Sequence, residues 1–324
     1  SEMCIRDRCV TLIALLGGCT STSVTEKYQD KRNDIINVKD KVIEFETGNV
    51  LIGSVSRLYM SNKCLLIADH KSVDKQIHIF NKNDFSYLTS IGNFGEGPEE
   101  ITVMGCLAID EAHHQLYVSD HAKQKIFSYD MDSVMVDSLY KPQVKTAMNE
   151  TLFPSEYQYI NDTLSIAVLI KPTSTSTFNQ FLGRWNMNTG EMIPMKYTHP
   201  DIQKKRITFA ASEKAGIYVE CYTRHDLMTI CSLDGELLYN IYGPDWDGGN
   251  GNKLQSFGTV MIGNDKIFVS YCGEDYARDS FPTKILVFDL EGNYLKTLET
   301  GYKISDCCYD LSLIHISEPT RLAL

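Results

Sequence analysis

The chain has 324 residues, 43% of them hydrophobic, which is enough apolar material to bury a sizeable core. Its formal net charge of -11 argues against a nucleic-acid-binding protein, because affinity for a phosphate backbone depends on clustered Lys and Arg. The ten cysteines include no C-x-x-C pair and lie near no His pair at zinc-site spacing, so no metal site and no cofactor is expected.

The N-terminal segment has the pattern of an export signal. Residues 10–16 (VTLIALL) form an apolar run that follows two arginines and is too short to span a bilayer. The run ends in LGGC at Cys19, which resembles the lipobox of bacterial lipoproteins, where the peptide is cut before the cysteine that carries the lipid. We therefore predict a signal peptide over residues 1–18, lipid attachment at Cys19 and a flexible tether over residues 19–38. A buried strand with a chance cysteine is the alternative.

The two extreme ends of the chain differ from the rest. Residues 1–8 (SEMCIRDR) and 312–324 (SLIHISEPTRLAL) resemble translated adapter sequence. We expect them to be foreign to the natural protein and exclude them from the fold prediction.

A four-strand phrase recurs through the middle of the chain. Its clearest copies begin at Leu65, Leu116, Ile217 and Ile267, and the positions closing the third strand of successive copies average about 52 residues apart. Each copy contains apolar strands joined by turns, and residues alternate between two faces. Four short antiparallel strands at this period predict the blades of a β-propeller, in which each blade packs against its neighbours.

The phrase divides the chain into five predicted blades, at residues 55–91, 104–140, 153–194, 206–242 and 257–300. Asp234-Gly235 and Gly292-Asn293 fall between third and fourth strands, where tight turns need residues that tolerate a positive φ. Residues 303–310 (KISDCCYD) predict the innermost strand of a sixth blade, and residues 42–46 (VIEFE) predict its outermost strand. The predicted fold is all-β: a six-bladed propeller of four-stranded antiparallel blades over residues 39–311, with the sixth blade truncated.

The segment at residues 91–101 (IGNFGEGPEEI) points to a family. Its pattern of Gly95, Gly97, Pro98 and Glu100 resembles the signature of the TolB-like six-bladed β-propeller lipoproteins of Gram-negative bacteria. The resemblance covers roughly residues 39–310. It implies an envelope lipoprotein with a ring of six blades and no established general activity.

Two loops are candidates for ligand contact. The first contains Gly95, Gly97, Pro98, Glu99 and Glu100, whose glycines allow positive φ and whose proline fixes one φ angle. It runs from one blade to the next, so its glutamates are expected at the mouth of the central channel. A stiff linker that locks two blades together is the alternative.

The second candidate loop contains Asp245, Trp246 and Asp247, and occupies the equivalent position between the fourth and fifth blades. Stacking of Trp246 on a sugar or a peptide is one interpretation, and an ordinary surface turn is the other.

No catalytic residue is assigned, because no Ser/His/Asp set has the order and spacing of a known arrangement. His113 and His114 are expected at an exposed hairpin tip rather than in a metal site. We predict a monomeric binding or scaffolding module for a protein, peptide or glycan, held by its lipid at the membrane on the periplasmic side. The alternative is an envelope hydrolase or lyase acting on carbohydrate. Several carboxylates or a His cluster in the channel would favour the enzyme.

Overall fold

The computed structural model describes residues 25–137, 139–202, 205–249, 254–278 and 281–310. Two three-residue strands come first, β1 (Glu26–Tyr28) and β2 (Ile35–Asn37), followed by a 3-10 turn (Lys39–Lys41). Five sheets of four consecutive strands follow within the described residues, and we call them blades 1 to 5. The fold is an all-β propeller.

The strands of the blades have the following bounds. Blade 1 contains β3 (Ser56–Met60), β4 (Cys64–Asp69), β5 (Lys75–Asn81) and β6 (Tyr87–Asn93), and blade 2 contains β7 (Met104–Asp110), β8 (Gln115–Asp120), β9 (Lys125–Asp130), the helix α1 (Met131–Val136) and β10 (Gln143–Ala147). Blade 3 contains β11 (Phe153–Asn161), β12 (Leu164–Pro172), β13 (Phe178–Trp185) and β14 (Met192–Pro194), and blade 4 contains β15 (Ile207–Ser212), β16 (Ile217–Tyr222), β17 (Leu227–Ser232) and β18 (Leu237–Tyr242). Blade 5 contains β19 (Leu254–Gly263), β20 (Lys266–Asp275), a 3-10 turn (Tyr276–Arg278), β21 (Lys284–Asp289) and β22 (Tyr294–Glu299).

Within each blade the four strands pair antiparallel in chain order. The first strands of blades 2 and 3 contact each other, and so do those of blades 4 and 5. First strands therefore line the central channel, and fourth strands lie at the outer edge of the ring.

Side chains that alternate along each strand build the cores between blades. On β4, Leu66 and Ala68 pack into a cluster shared with blade 2, whereas Leu65 and Ile67 pack into a cluster on the opposite face. On blade 4, Cys221 faces blade 5 and Cys231 faces blade 3, so these two buried cysteines lie on opposite faces and do not pair. The period-2 pattern of the sequence therefore decides which neighbour each residue meets.

The predicted tight turns are confirmed. Gly235 and Gly292 have φ angles of +87° and +80°, a region that glycine enters without the steric cost paid by other residues. Each glycine N–H also donates to the carbonyl that ends the third strand of its blade.

The segment predicted as a flexible tether is docked where the structure describes it. β1 adds to blade 4 as a fifth, outermost strand parallel to β18, and β2 adds to blade 5 parallel to β22. Three-residue strands have too few positions to show a period, so composition alone pointed to a tether. Residues 25–37 are thus an outer strap across blades 4 and 5.

The strap is anchored by a buried ion pair. Arg32 enters the crevice between blades 4 and 5, and its two terminal nitrogens lie 3.2 and 2.9 Å from the Asp226 carboxylate oxygens. The Arg32 guanidinium also lies 5.3 Å from the ring centroid of Tyr271 and 5.8 Å from that of Phe257. The Arg32 side chain is 7% exposed and that of Asp226 is 0% exposed, so the pair replaces hydration with direct bonds.

The predicted fragment of a sixth blade does not form a sheet. Residues 303–310 contain no strand, and residues 42–46, predicted as the outermost strand of that blade, are also irregular. A strand needs a neighbouring strand to satisfy its backbone, and the described residues offer none at this place in the ring. The segment 303–310 instead lies between blade 5 and blade 1, held by its side chains.

These side-chain contacts join the two ends of the row of blades. Asp306 accepts a hydrogen bond from the backbone N–H of Leu58 on β3 (2.7 Å) and another from the hydroxyl of Thr259 on β19 (2.6 Å). Tyr309 stacks on Phe268 of blade 5 with ring centroids 5.1 Å apart, and Lys82 of blade 1 forms an ion pair with Asp310 (3.1 Å). Residues 303–310 therefore close the ring.

The buried ion pair of the strap is expected to contribute to the free energy of unfolding. We expect Arg32→Ala to lower the free energy of unfolding by about 3–5 kcal/mol, because Asp226 is left buried without its partner. The matched control is Lys27→Ala in the same strap, whose ammonium bonds at the surface and whose loss should cost about 1 kcal/mol or less. Urea unfolding measures both variants. If Arg32→Ala and Lys27→Ala unfolded at the same urea concentration, Arg32 would not be the anchor of the strap.

Candidate functional site at the channel mouth

The connections between blades and the turns between second and third strands lie at one end of the propeller, since consecutive strands run antiparallel. We call this end the channel mouth. Lys123, in the turn between β8 and β9, demonstrates the arrangement, because its ammonium reaches the loop between blades 1 and 2. Both candidate loops predicted from the sequence lie at this end.

The first predicted loop is held together by its own polar groups. Lys123 Nζ donates to the carbonyl oxygens of Gly97 and Glu100, at 2.6 Å in each case. The Glu100 carboxylate turns inward and accepts the N–H of Gly97 at 2.8 Å. A Cβ on Gly95 would lie 2.0 Å from that carboxylate, so a larger residue there would displace the Glu100 side chain from this position. These contacts agree with a stiff linker, the alternative interpretation of the motif.

Pro98 and Glu99 of this loop are open to solvent contact. Pro98 is exposed, and Glu99 forms a surface ion pair with Lys141 at 2.8 Å. A surface pair of this kind contributes little to stability and is available for exchange with a ligand.

The second predicted loop presents an aromatic ring. Trp246 is partly buried, with its ring centroid 4.9 Å from that of Tyr242 and 6.0 Å from that of His225. Asp245 and Asp247 flank it and are exposed, and one oxygen of Asp247 lies 3.4 Å from His225 Nδ1. Trp246 thus packs on blade 4 while part of its ring stays accessible.

An ion pair joins blade 1 to blade 3 inside the channel, passing the inner strand of blade 2. Arg57 on β3 of blade 1 lies 2.7 Å from the Glu156 carboxylate on β11 of blade 3. Blades 1 and 3 are not neighbours, so their first strands meet only in the channel. The side chains are 46% and 37% exposed, and the pair is therefore in contact with channel solvent.

Two histidines lie beside this pair at equivalent places in their blades. His70 follows β4, and its Nδ1 lies 3.2 Å from the Met104 carbonyl oxygen at the start of β7. His121 follows β8 and bonds to the backbone of Ser155 on β11. Each ring therefore reaches from its own blade to the first strand of the next. His121 also occupies the space above Gly105, where a Cβ would lie 2.4 Å from Nε2.

Both imidazoles carry an unused nitrogen. The Nε2 atoms of His70 and His121 are buried and have no hydrogen-bond partner in the described structure. A carbonyl oxygen only accepts, so Nδ1 of His70 carries the proton and Nε2 of the neutral ring is left as an acceptor. Leaving such an atom unbonded costs about 1–3 kcal/mol.

The electrostatics keep both rings neutral near pH 7. Burial lowers the pKa of His70, and the charge of Arg57 lowers it further. Burial likewise lowers the pKa of His121. His121 bonds to Ser155, the residue before Glu156, and His70 bonds to the start of β7, between the strands that carry Arg57 and Glu156. We call these four residues the channel-mouth quartet: Arg57, His70, His121 and Glu156.

The two histidines of this quartet could have been found from the sequence. The dipeptide Asp-His ends the second strand in both of the first two copies of the repeat, as Asp69-His70 and Asp120-His121. Equivalent positions of adjacent blades lie side by side in a propeller, so a repeated histidine predicts a pair. Arg57 and Glu156 carry no comparable signal, because their blades are not adjacent.

Comparison with known proteins agrees with the fold. Residues 20–180 match the DUF5128 family model, described as a 6-bladed beta-propeller. No curated protein matches the chain. The family description has six blades, whereas the described residues of this chain form five.

Several solved structures are similar. A protein from Bacteroides fragilis NCTC 9343, described as exported, has 14% identity and a TM-score of 0.51, over 86% of this chain and 80% of that one. A member of the duf4221 family from Bacteroides vulgatus ATCC 8482 has 9% identity and a TM-score of 0.52, over 75% and 80%. The structure of U3-55K has 11% identity and a TM-score of 0.54, over 80% and 86%. At these identities the likeness shows the fold alone: the chain is a β-propeller.

Within the described residues, no helix has the length and apolar character needed to cross a membrane. Cys19, the predicted site of lipid attachment, lies outside the described residues.

The quartet makes a prediction about pH. The unfolded histidine pKa is about 6.5, and the folded values of His70 and His121 lie below it, so the unfolded state binds protons first as the pH falls. Stability should therefore decrease below about pH 6.5. In a His70→Gln/His121→Gln variant, the decrease in unfolding free energy with falling pH should be shallower.

Urea unfolding at a series of pH values between about 7 and 5 measures this slope. The control is His114→Gln, which replaces an exposed histidine of blade 2. A double variant with the wild-type slope would contradict the burial of two neutral imidazoles.

Proposed function

We propose that this protein is an exported, lipid-anchored β-propeller that binds a polar partner, a peptide, protein or glycan, at its channel mouth. The observation that carries the proposal is the channel-mouth quartet. It combines a solvent-accessible Arg–Glu pair with two neutral imidazoles whose Nε2 atoms lack a partner in the described structure. Sites that bind polar ligands need a few such groups at fixed positions on a rigid frame.

The quartet favours a ligand with both hydrogen-bond donors and charge. When either ring turns its buried Nε2 towards the channel, that acceptor matches the hydroxyl or amide donors that sugars and peptides both carry. Arg57 matches a carboxylate, and Glu156 matches an amine or a hydroxyl. Trp246, on the same end of the propeller, adds a surface on which a sugar or an aromatic side chain can stack.

Four acidic groups near the channel mouth already serve the fold, which favours binding over hydrolysis. Asp69 and Asp120 accept backbone N–H groups of the connections that precede β3 and β7. Asp306 is bonded on both oxygens, and Glu100 bonds within its own loop. A glycosidase needs two carboxylates free to exchange protons or attack the sugar.

A lyase acting on acidic carbohydrate is the second candidate function. Its specific support is the placement of neutral imidazoles beside Arg57. A neutral imidazole is a competent base, and a guanidinium neutralises the carboxylate next to the carbon that loses its proton. In this reaction the base removes that proton, the glycosidic oxygen leaves, and a carbon–carbon double bond forms.

The binding test compares two double variants. We expect the wild-type protein to retain members of immobilised glycan and peptide libraries, and Arg57→Ala/Glu156→Ala to lose at least about tenfold in affinity. The matched control is Lys214→Ala/Asp265→Ala, which removes an exposed ion pair at the opposite end. Equal weakening by both variants would place binding elsewhere. Release of unsaturated sugar by the wild type, abolished in His70→Gln/His121→Gln, would establish the lyase instead.

In this proposal the lipid on Cys19 lies close to the propeller. Export is supported by the apolar run before Cys19 and by the neighbour described as exported, and lipidation by the lipobox resemblance. Because β1 is docked on blade 4 from Glu26, the tether after Cys19 is only a few residues long and spans at most about 25 Å. The membrane would thus lie near the outer edge of blade 4.

Lipidation is tested by metabolic labelling with an alkyne-bearing fatty acid in a Gram-negative host. We expect label on the wild type and none on Cys19→Ser, because the thiol is the attachment point. Cys9→Ser is the control and should keep the label. Label that persists in Cys19→Ser would refute the anchor.

A further inference from the structure

At the end opposite the channel mouth, the turns between first and second strands contact one another around the ring. Between blades 1 and 2, the N–H of Asn62 donates to the Glu111 carboxylate (2.7 Å). Between blades 4 and 5, Lys214 pairs with Asp265 (3.4 Å). In each of these contacts a carboxylate meets a donor.

The contact between blades 2 and 3 differs, because two carboxylates meet there. Asp110 ends β7, His113 lies in the turn after it, and Asp162 lies in the turn between β11 and β12. One ligand atom from each of the three residues lies within 4.8 Å of the other two. One imidazole thus stands against two carboxylates contributed by two separate blades.

The two carboxylates are oriented by tyrosines of their own blades. The hydroxyl of Tyr117 donates to Asp110 Oδ2 (3.2 Å), and the hydroxyl of Tyr159 donates to Asp162 Oδ1 (2.7 Å). Asp110 also accepts the backbone N–H of His113 at 3.2 Å and a hydrogen bond from His113 Nδ1 at 2.8 Å. Hydrogen bonds such as those from the tyrosines are how outer residues orient metal ligands. Asp110 is 1% exposed, so it is a fixed member of the group.

We propose that Asp110, His113 and Asp162 bind a divalent transition-metal cation that bridges blades 2 and 3. Two carboxylates and one imidazole match the ligand types of zinc, and three protein ligands leave a position for water. Ligand atoms around tetrahedral zinc are about 3.4 Å apart. His113 Nδ1 and Asp110 Oδ2 are now hydrogen-bonded at 2.8 Å, so the metal would replace the proton between them and separate them slightly, while Asp162 moves closer. His113 and Asp162 are exposed and free to make that movement.

The site is independent of the channel-mouth quartet and of the proposed partner binding. It lies at the other end of the strands that carry His121 and Glu156. A cation there would hold two turns together and so stabilise the contact between the blades, because binding to the native state alone raises the free energy of unfolding.

The test is titration of the metal-free protein with Zn²⁺ against a chromophoric chelator. We expect one equivalent to bind to the wild type, and His113→Ala and Asp162→Asn each to weaken binding at least about tenfold. Both residues are exposed, so both variants should fold. The matched controls are the neighbouring His114→Ala and its partner Asp132→Asn, which should bind as the wild type does.

A second readout is thermal unfolding with and without Zn²⁺. The wild type and both controls should gain stability in the presence of the metal, and the two ligand variants should not. Absence of stoichiometric binding to the wild type would overturn the proposal. Equal loss of binding in His114→Ala would also overturn it, since the metal would then be held by the turn as a whole.

Discussion

Closure of the ring depends on the Asp306 carboxylate. Every blade of a propeller has two apolar faces, and the first and last blades each need a partner for the face that no neighbour covers. Asp306 bonds to β3 of blade 1 with one oxygen and to Thr259 of blade 5 with the other. Asp306 is therefore one side chain that bonds directly to both ends of the row, and the contacts of Tyr309 and Asp310 support it.

The remaining links around the channel are also polar contacts between first strands. The Tyr59 hydroxyl accepts the Leu107 N–H between blades 1 and 2. Gln158 exchanges two hydrogen bonds with the backbone of Ala211 between blades 3 and 4. These contacts have defined directions, unlike the apolar cores behind them, so they set the angle between blades while burial supplies most of the driving force.

At the channel mouth, too, polar side chains satisfy backbone groups and so hold the fold together. Glu100, for example, was a candidate for ligand contact in the sequence. Its carboxylate instead accepts a hydrogen bond from a backbone N–H that would otherwise be unpaired. Groups that do not serve the backbone in this way include Arg57, Glu156 and two imidazole nitrogens. A binding function is proposed from this remainder, because the fold does not need it.

Much of the fold could be predicted from the sequence. Alternating apolar residues and a repeat of about 52 residues fix the blades, and glycines such as Gly235 and Gly292 fix turns through their φ angles. Prediction from local sequence pattern was wrong where the structure depends on a contact between residues that are far apart in the chain. The strap depends on Arg32 meeting Asp226, 194 residues away, and three-residue strands have no period to detect.

The prediction of a strand at residues 303–310 failed for a related reason. Its residues have the apolar alternation of an inner strand, but a strand also needs a neighbouring strand, which the described part of the chain does not provide. The channel-mouth quartet was only half accessible to prediction. His70 and His121 occupy equivalent places in adjacent blades, whereas Arg57 and Glu156 meet only because the ring curves around blade 2.

Hydrogen exchange at the Leu58 amide tests ring closure most directly. This N–H has the Asp306 carboxylate as its partner, at 2.7 Å. We expect slow exchange in the wild type and fast exchange in Asp306→Ala, with the amides that pair β4 to β5 still protected in both. Exchange of Leu58 at the rate of an unprotected amide in the wild type would contradict closure through residues 303–310.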